Sequence, residues 1–340
     1  MPPRATHVSL IALPEVMISP LAGLYEVLTL FETLGSFDDA MPRDPPFDVQ
    51  IVTPQDMPET GASGLPHGGG ITLDKVDRTD IVIVPSMLVE DAEWVPGRYP
   101  ELVDWLVARH AEGAILCSAC SGVLLLAETG LLDGREATIH WAYEHTFRRN
   151  FPKVQLKLQE VLVASGERRD FVMSGASASW HDLVLYLIAR LVGPTAAQAI
   201  ARFMLLQWHV DGQAPYVTFN PPLDHGDAVV RDLQDWLKKN YTIASPVEEL
   251  ERRSGLPGRS FKRRFTKATG TPPIKYVQYL RVEEAKRRLE RTDTPIDQIG
   301  WNVGYEEPAF FRRLFKRVTR LTPSEYRRKF RMPEFNRSLL

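Results

Sequence analysis

The sequence predicts two domains of different class: an α/β amino part with a mainly parallel sheet, and an all-α carboxyl part built around two helix-turn-helix motifs. Three observations predict this. Short apolar runs take turns with helical patterns through residues 6–193, the alternation that a parallel sheet needs. One pattern of residues is used twice between Ser245 and Phe330. The charge also divides: from Val229 onward 26 Lys and Arg stand against 14 Asp and Glu, a balance of +12, which leaves 15 against 29, or -14, before it. A basic half points to nucleic acid, and an acidic half does not bind it nonspecifically.

In chain order, THVSLIAL (6–13) reads as a buried strand and Pro20–Leu34 as the helix after it. FDVQIVTP (47–54) and DIVIVPS (80–86) are two more short apolar runs, with Tyr99–Ala111 and the run after Ser121 as helices between and beyond. SGLPHGGG (63–70) is a glycine-rich loop; a flexible connection is the better reading, because the G-x-G-x-x-G order and a following helix are both missing. In GAILCSACSGVLLLAETGLLDG (113–134) a buried strand runs into Cys120 and a helix begins at once. That places Cys120 on a sharp strand-to-helix bend of the kind used for nucleophiles. The amides of Ser121 and Gly122 are expected to face whatever lies over the thiol, and a helix start attracts anions and lowers a thiol pKa. Cys117 falls inside the strand, where burial is expected. ATIHWAYEHTFRRNFP (137–152), the strand EVLVASG, a strand and helix over 170–193, and a helix over Thr195–Leu206 complete the amino domain, 1–207. The Pro- and Gly-rich stretch 208–226 reads as a linker, and 227–340 as the second domain.

That second domain repeats itself. SPVEELERRSGLPGRSFKRRFTKATGTPP (245–273) matches TPIDQIGWNVGYEEPAFFRRLFKRVTRLTP (294–323). Each copy has a Ser or Thr cap with Pro at the first helical position, a short helix, Gly255 or Gly304 at its end, and a second, basic helix. The apolar face of that second helix is Phe261 and Phe265, or Phe311 and Phe315. A short basic helix after a glycine turn suits a DNA major groove. Between the copies, 274–292 reads as one helix with Tyr276, Tyr279, Leu280, Ala285 and Leu289 on its apolar side; at 1.5 Å per residue it spans roughly 27 Å, enough to hold two readers about one DNA turn apart.

These residues, with the closing LTPSEYRRKF (321–330), resemble the AraC/XylS family of transcription regulators across the last hundred residues. The resemblance implies double-stranded promoter DNA as partner, read by Arg259, Lys262 and Arg263 from the first copy and by Ala309, Phe310 and Arg313 from the second. Glu306 and Glu307 depart from a purely basic reader. The elbow with LLLAETGLLDG, and the IHWAY segment, resemble the PfpI-like, class I glutamine amidotransferase-like fold over roughly 5–195, which has flavodoxin-like layers. Fused in this order, the two are similar to the GlxA subfamily of regulators. That resemblance implies a homodimer, a possible small-molecule effector, and RNA polymerase as a further partner if the protein activates.

The same superfamily includes proteases, deglycase-like proteins and isonitrile hydratases, so a cysteine-dependent enzyme tethered to a DNA-binding domain is the alternative. The usual helpers of the thiol are missing. Ser121 stands where protease-type members carry His, Pro20 stands where others carry an acid, and Glu15 lies one helix turn too early. His140 is the remaining candidate base, and it joins Cys120, Ser121, Gly122 and Glu15 as a candidate ligand pocket; no catalytic residue is assigned.

The chain of 340 residues, 44% apolar, is long enough for two or three real cores. No apolar run approaches a membrane span and MPPRATHVSL lacks a signal-peptide core, so a cytoplasmic protein is expected. Two cysteines are too few for a disulfide framework. No metal-ligand cluster stands out and no cofactor is implied.

Overall fold

A computed structural model describes residues 4–37, 41–42, 44–54, 60–66 and 69–332. The glycine-rich loop reaches past them, since its His67 and Gly68 lie outside the described residues. The chain forms two compact units, 1–213 and 214–340.

The first unit begins with β1 (Thr6–Ile11), then α1 (Ile18–Thr29) and α2 (Phe31–Leu34). The single helix expected over Pro20–Leu34 is thus two, starting two residues earlier and broken at Leu30. Next come β2 (Phe47–Thr53), β3 (Ile71–Thr72), β4 (Ile81–Val84), α3 (Pro100–Ala111), β5 (Ile115–Ala119) and α4 (Val123–Glu128). The unit closes with β6 (Glu136–Ala137), α5 (Glu144–Asn150), β7 (Gln155–Leu156), β8 (Leu162–Ser165), β9 (Phe171–Ser174), α6 (Trp180–Leu191) and α7 (Pro194–Phe203). Seven strands make one sheet in the order β3-β2-β1-β4-β5-β9-β8. Every pairing in it is parallel except β8 with β9. β4 reads IVIV with all four residues buried, as a strand covered on both faces must. One apolar layer packs α1, α6 and α7 on the sheet, the other α3 and α4.

The second unit is helical: α8 (Ala228–Asn240), α9 (Pro246–Ser254), α10 (Gly258–Thr269), α11 (Pro273–Arg291), α12 (Ile296–Asn302), α13 (Pro308–Thr319) and α14 (Pro323–Phe330). It has two cores. Leu233, Leu237, Leu250, Phe261, Phe265 and Tyr276 form one, and Val282, Leu289, Ile299, Phe311, Phe315 and Tyr326 form the other. Both hang on α11, whose amino half feeds the first and whose carboxyl half feeds the second. That explains a departure from the expected face: Val277 and Val282 are fully buried while Tyr279 and Leu280 are only half-buried, because α11 is covered from two sides.

The duplication reaches the backbone. α9 ends on Gly255 with φ +64, and α10 and α13 end on Gly270 and Arg320 with φ +70 and +62. The hydroxyls of Thr269 and Thr319 each lie 2.8 Å from the carbonyl of the phenylalanine four residues earlier. The starts differ. Ser245 precedes α9 without a side-chain cap bond, and in the second copy Pro295 is itself the cap residue, with the helix starting at Ile296.

Residues 208–226 form no helix or strand. Within the first unit His209 bonds to Asp182, and the Gln213 amide donates to the carbonyls of Ile139, Leu158 and Glu160. Within the second unit Phe219 packs edge-on against Tyr276 at 5.0 Å, and the carbonyl of Val217 accepts from Lys286 at 2.6 Å.

Candidate functional site

α10 and α13 bury Phe261, Phe265, Phe311 and Phe315 almost completely. That burial fixes their rotation, so Arg259, Lys262 and Arg263 on α10, and Ala309, Phe310 and Arg313 on α13, all stand on the exposed side. Their electrostatic state differs from that of several neighbours. Neighbouring cations are held by acids: Arg252 and Arg253 by Glu249, Arg264 by Asp227, Arg312 by Asp297, and Arg288 by Glu284. Arg259, Lys262, Arg263 and Arg313 make no ion pair among the described residues, and their charge is available to an outside anion.

The second reader is the more apolar. Phe310 is 39% exposed and Trp301 56%, although both are large aromatics. Phe310 lies 5.6 Å from Tyr305, and the Trp301 indole N–H donates to the carbonyl of Glu306 at 3.2 Å. Glu307 holds the N-cap position of α13 without a side-chain cap bond, where a carboxylate complements the helix dipole. Trp301 was missed in the sequence because it sits on the first helix of its motif, at a spacing that gives no sign of exposure.

One buried cation ties the turn before the first motif to the second motif. Arg281, on α11, donates to the carbonyls of Tyr241 at 2.7 Å, Ile243 at 2.8 Å and Gly304 at 2.9 Å, and its guanidinium lies 4.8 Å from the Tyr305 ring centre. Gly304 has φ +95, and a Cβ there would come within 2.6 Å of the Thr242 carbonyl.

In the first unit β5 runs into Cys120, which takes φ +54, a left-handed conformation costly for a side chain and familiar at functional bends. Ser121 holds the bend to the segment after β4: its hydroxyl donates to the Met87 carbonyl at 2.6 Å and accepts from the Met87 amide at 2.7 Å. At Gly122 a Cβ would sit 2.2 Å from the Val84 carbonyl, so only glycine fits. Cys120 itself is 2% exposed. Burial pushes its thiol above the ordinary value, and hydrogen bonds involving Ser177, whose oxygen lies 3.5 Å from the sulfur, and the Ser121 backbone only partly oppose this. The lowered thiol pKa expected at a helix start is therefore not what the fold produces: desolvation outweighs the amides. Cys117 is fully buried in β5, and burial raises its thiol too.

The other candidate pocket residues have their own engagements. The Glu15 carboxylate accepts from the Tyr99 hydroxyl at 2.5 Å and pairs with Arg98, while its carbonyl accepts from the amide of Leu88, one residue past Met87. His140 caps the turn after it, accepting from the Ala142 amide at 3.1 Å, and lies against Trp141 and Tyr143. Burial lowers its pKa. Tyr143, whose hydroxyl is pushed up by burial and by the nearby Cys120, and Ser177 are neighbours of the thiol that the sequence did not single out. They come from separate segments that only the sheet brings together.

A cluster of metal-ligand type also forms, against expectation. His181, Asp182 and His209 place one ligand atom each within 4.8 Å of one another. The pattern was invisible in sequence because His209 lies 27 residues from Asp182.

Comparison with known proteins fits this geometry. Residues 250–329 match the family model described as a helix-turn-helix domain. The HTH-type transcriptional regulator CdhR of Pseudomonas aeruginosa is 28% identical over 280 residues, 82% of this chain and 80% of that one. The HTH-type transcriptional regulator GlxA of Rhizobium meliloti is 27% identical over 218 residues, 62% of this chain and 64% of that one. Isonitrile hydratase of Pseudomonas putida is 26% identical over 201 residues, 58% and 76% of the two chains. A crystal structure from Vibrio parahaemolyticus, of a candidate transcriptional regulator, superposes with TM-score 0.51 at 22% identity, covering 59% of this chain and all of that one, a likeness of fold alone. The chain is thus of the class that joins a parallel α/β unit to a helix-turn-helix unit. The helix-turn-helix unit is of AraC type, and GlxA- and CdhR-like regulators are its homologues.

Proposed function

We propose that the protein is a transcription regulator that binds promoter DNA in a sequence-specific way through α10 and α13. The observation that carries this reading is that Arg259, Lys262, Arg263 and Arg313 stand exposed on one face of each reader with no ion pair among the described residues, while Arg252, Arg264 and Arg312 beside them are committed to internal acids. Arg263 and Arg313 hold equivalent places in the two copies, and an arginine reading guanine is worth about 1–3 kcal/mol of discrimination. Ala309 and Phe310 suit apolar contact with a thymine methyl instead. Binding selection on randomised duplexes tests this with Arg263→Ala and Arg313→Ala. Each variant should relax preference at one or two base pairs, the two positions about one DNA turn apart and the Arg263 effect larger. Uniform weakening across all sequences would reduce both residues to phosphate contacts.

The division 1–207, 208–226 and 227–340 into sensor, connection and reader is part of the same proposal, as is a cytoplasmic homodimer formed by the first unit. The exposed aromatic pair Phe37 and Phe203, 6.0 Å apart, supports a pairing surface there. Cys120, Ser121, Gly122, His140 and Glu15 are proposed as the rim of an effector site, and RNA polymerase as a partner if the regulator activates. A buried thiol whose pKa is raised by burial, beside the hydroxyl of Ser177, supports binding over turnover.

A further inference from the structure

We propose that His181, Asp182 and His209 bind a divalent transition metal of the zinc class, in a site of the first unit separate from the cysteine elbow. The donors are two imidazoles and a carboxylate, the mixture that zinc and its neighbours prefer over magnesium or calcium. They come from α6 and from the segment that follows α7. His181 and Asp182 occupy the second and third positions of α6, and His209 approaches from the segment after that helix pair.

The spacing fits. In a tetrahedral site with bonds of about 2.0–2.1 Å, neighbouring donor atoms stand about 3.3 Å apart. Asp182 Oδ2 is 2.7 Å from His209 Nδ1 and 3.6 Å from His181 Nε2, distances on either side of that figure. The third side, between the two imidazole donors, lies within 4.8 Å, so a metal entering the triangle would draw the two imidazoles together as well as adjust each to Asp182. The two rings are neighbours, with centres 5.1 Å apart and planes tilted by 33°.

The surroundings supply the rest of a metal site. Asp182 Oδ1 accepts from the backbone amide of His209 at 2.9 Å, which orients the carboxylate and leaves Oδ2 as the ligand, the outer support that metal ligands use. A cavity of about 200 Å³, lined by Glu160, Val161, Asp182, Trp208, His209 and Gly212, opens beside the cluster. It leaves room for water as a fourth ligand. On binding, the metal replaces the proton shared between His209 Nδ1 and Asp182 Oδ2, and that proton leaves to solvent. Because His209 stands four residues before the end of the first unit, the metal would cross-link α6 to the segment that leads out of it.

Full-length protein stripped with chelator and titrated with zinc, and separately with cobalt(II), tests the site. The expected result is one metal per chain by elemental analysis after desalting, visible cobalt absorption of a tetrahedral mixed nitrogen–oxygen site, and a higher melting temperature with zinc. His181→Ala and His209→Gln should each lose the retained metal, the cobalt band and the zinc-dependent shift, His209→Gln keeping a side-chain donor toward Asp182 so that the metal-free fold survives. Equal retention by wild type and both variants would assign the metal to the other histidines and overturn the proposal. So would wild type that retains none.

Discussion

Arg281→Met removes a side chain that bonds to both halves of the reading unit, and its cost can be worked from the contacts. The guanidinium is 7% exposed and donates three hydrogen bonds to carbonyls of residues 241, 243 and 304. A bond from a charged donor contributes about 1.5–3 kcal/mol, so the gross loss is about 5–9 kcal/mol. Burying the guanidinium costs several kcal/mol, which the variant recovers. Methionine fills a similar volume and leaves three carbonyls that water reaches only in part. The net expectation is a loss of about 3–5 kcal/mol, or a fall in melting temperature on the order of 10–20 °C for a unit of this size. Calorimetry of the full-length protein should show the second unit's transition moving and the first unit's staying in place. Arg281→Lys should fall between, since an ammonium cannot span three carbonyls with a planar fork. DNA binding should weaken along with it, because Gly304 and the 241–243 turn set the second motif against α11. A shift under about 1 kcal/mol for Arg281→Met would refute the reasoning, as would equal shifts of both transitions.

Three further outcomes are expected. Arg252, then Arg253, hold the Glu249 carboxyl down from 4.5 to about 2; a depressed folded pKa stabilises fully above about 4.5 and loses its effect as pH falls toward 2, so Glu249→Gln should be less stable than wild type at pH 7 and equal to it near pH 2, and a pH-independent difference would exclude the pair as the cause. The fragment 214–340 should bind duplex DNA with an affinity that falls about 10³–10⁵-fold from 50 to 200 mM salt if it meets six to ten phosphates, and a salt-insensitive fragment would count against the reading. Cys120 should react slowly with iodoacetamide at pH 7 in the native protein and quickly once unfolded, and Cys120→Ser should leave DNA affinity unchanged; fast native labelling would place an accessible thiolate at the bend.

The reading unit was legible in sequence because its determinants are local. A four-residue spacing of phenylalanines fixes which face of a short helix is buried, and hence that Arg263 and Arg313 face out, whatever the helix packs against. The duplication could be seen by eye for the same reason. The α/β alternation and the bend at Cys120 were equally local, each being a change of period along the chain. What the sequence could not supply were quantities set by residues far apart. The raised thiol of Cys120 depends on how completely the sheet and its covering helices exclude water there, and the expectation of a lowered value counted only the neighbouring amides. The two-sided burial of α11, the three carbonyls on Arg281, the free state of Arg263 beside a paired Arg264, and the meeting of His209 with His181 and Asp182 all join segments separated by tens of residues. Charge pairing and desolvation act over a few ångströms in space, so only the tertiary structure decides which charges and donors fall within that range.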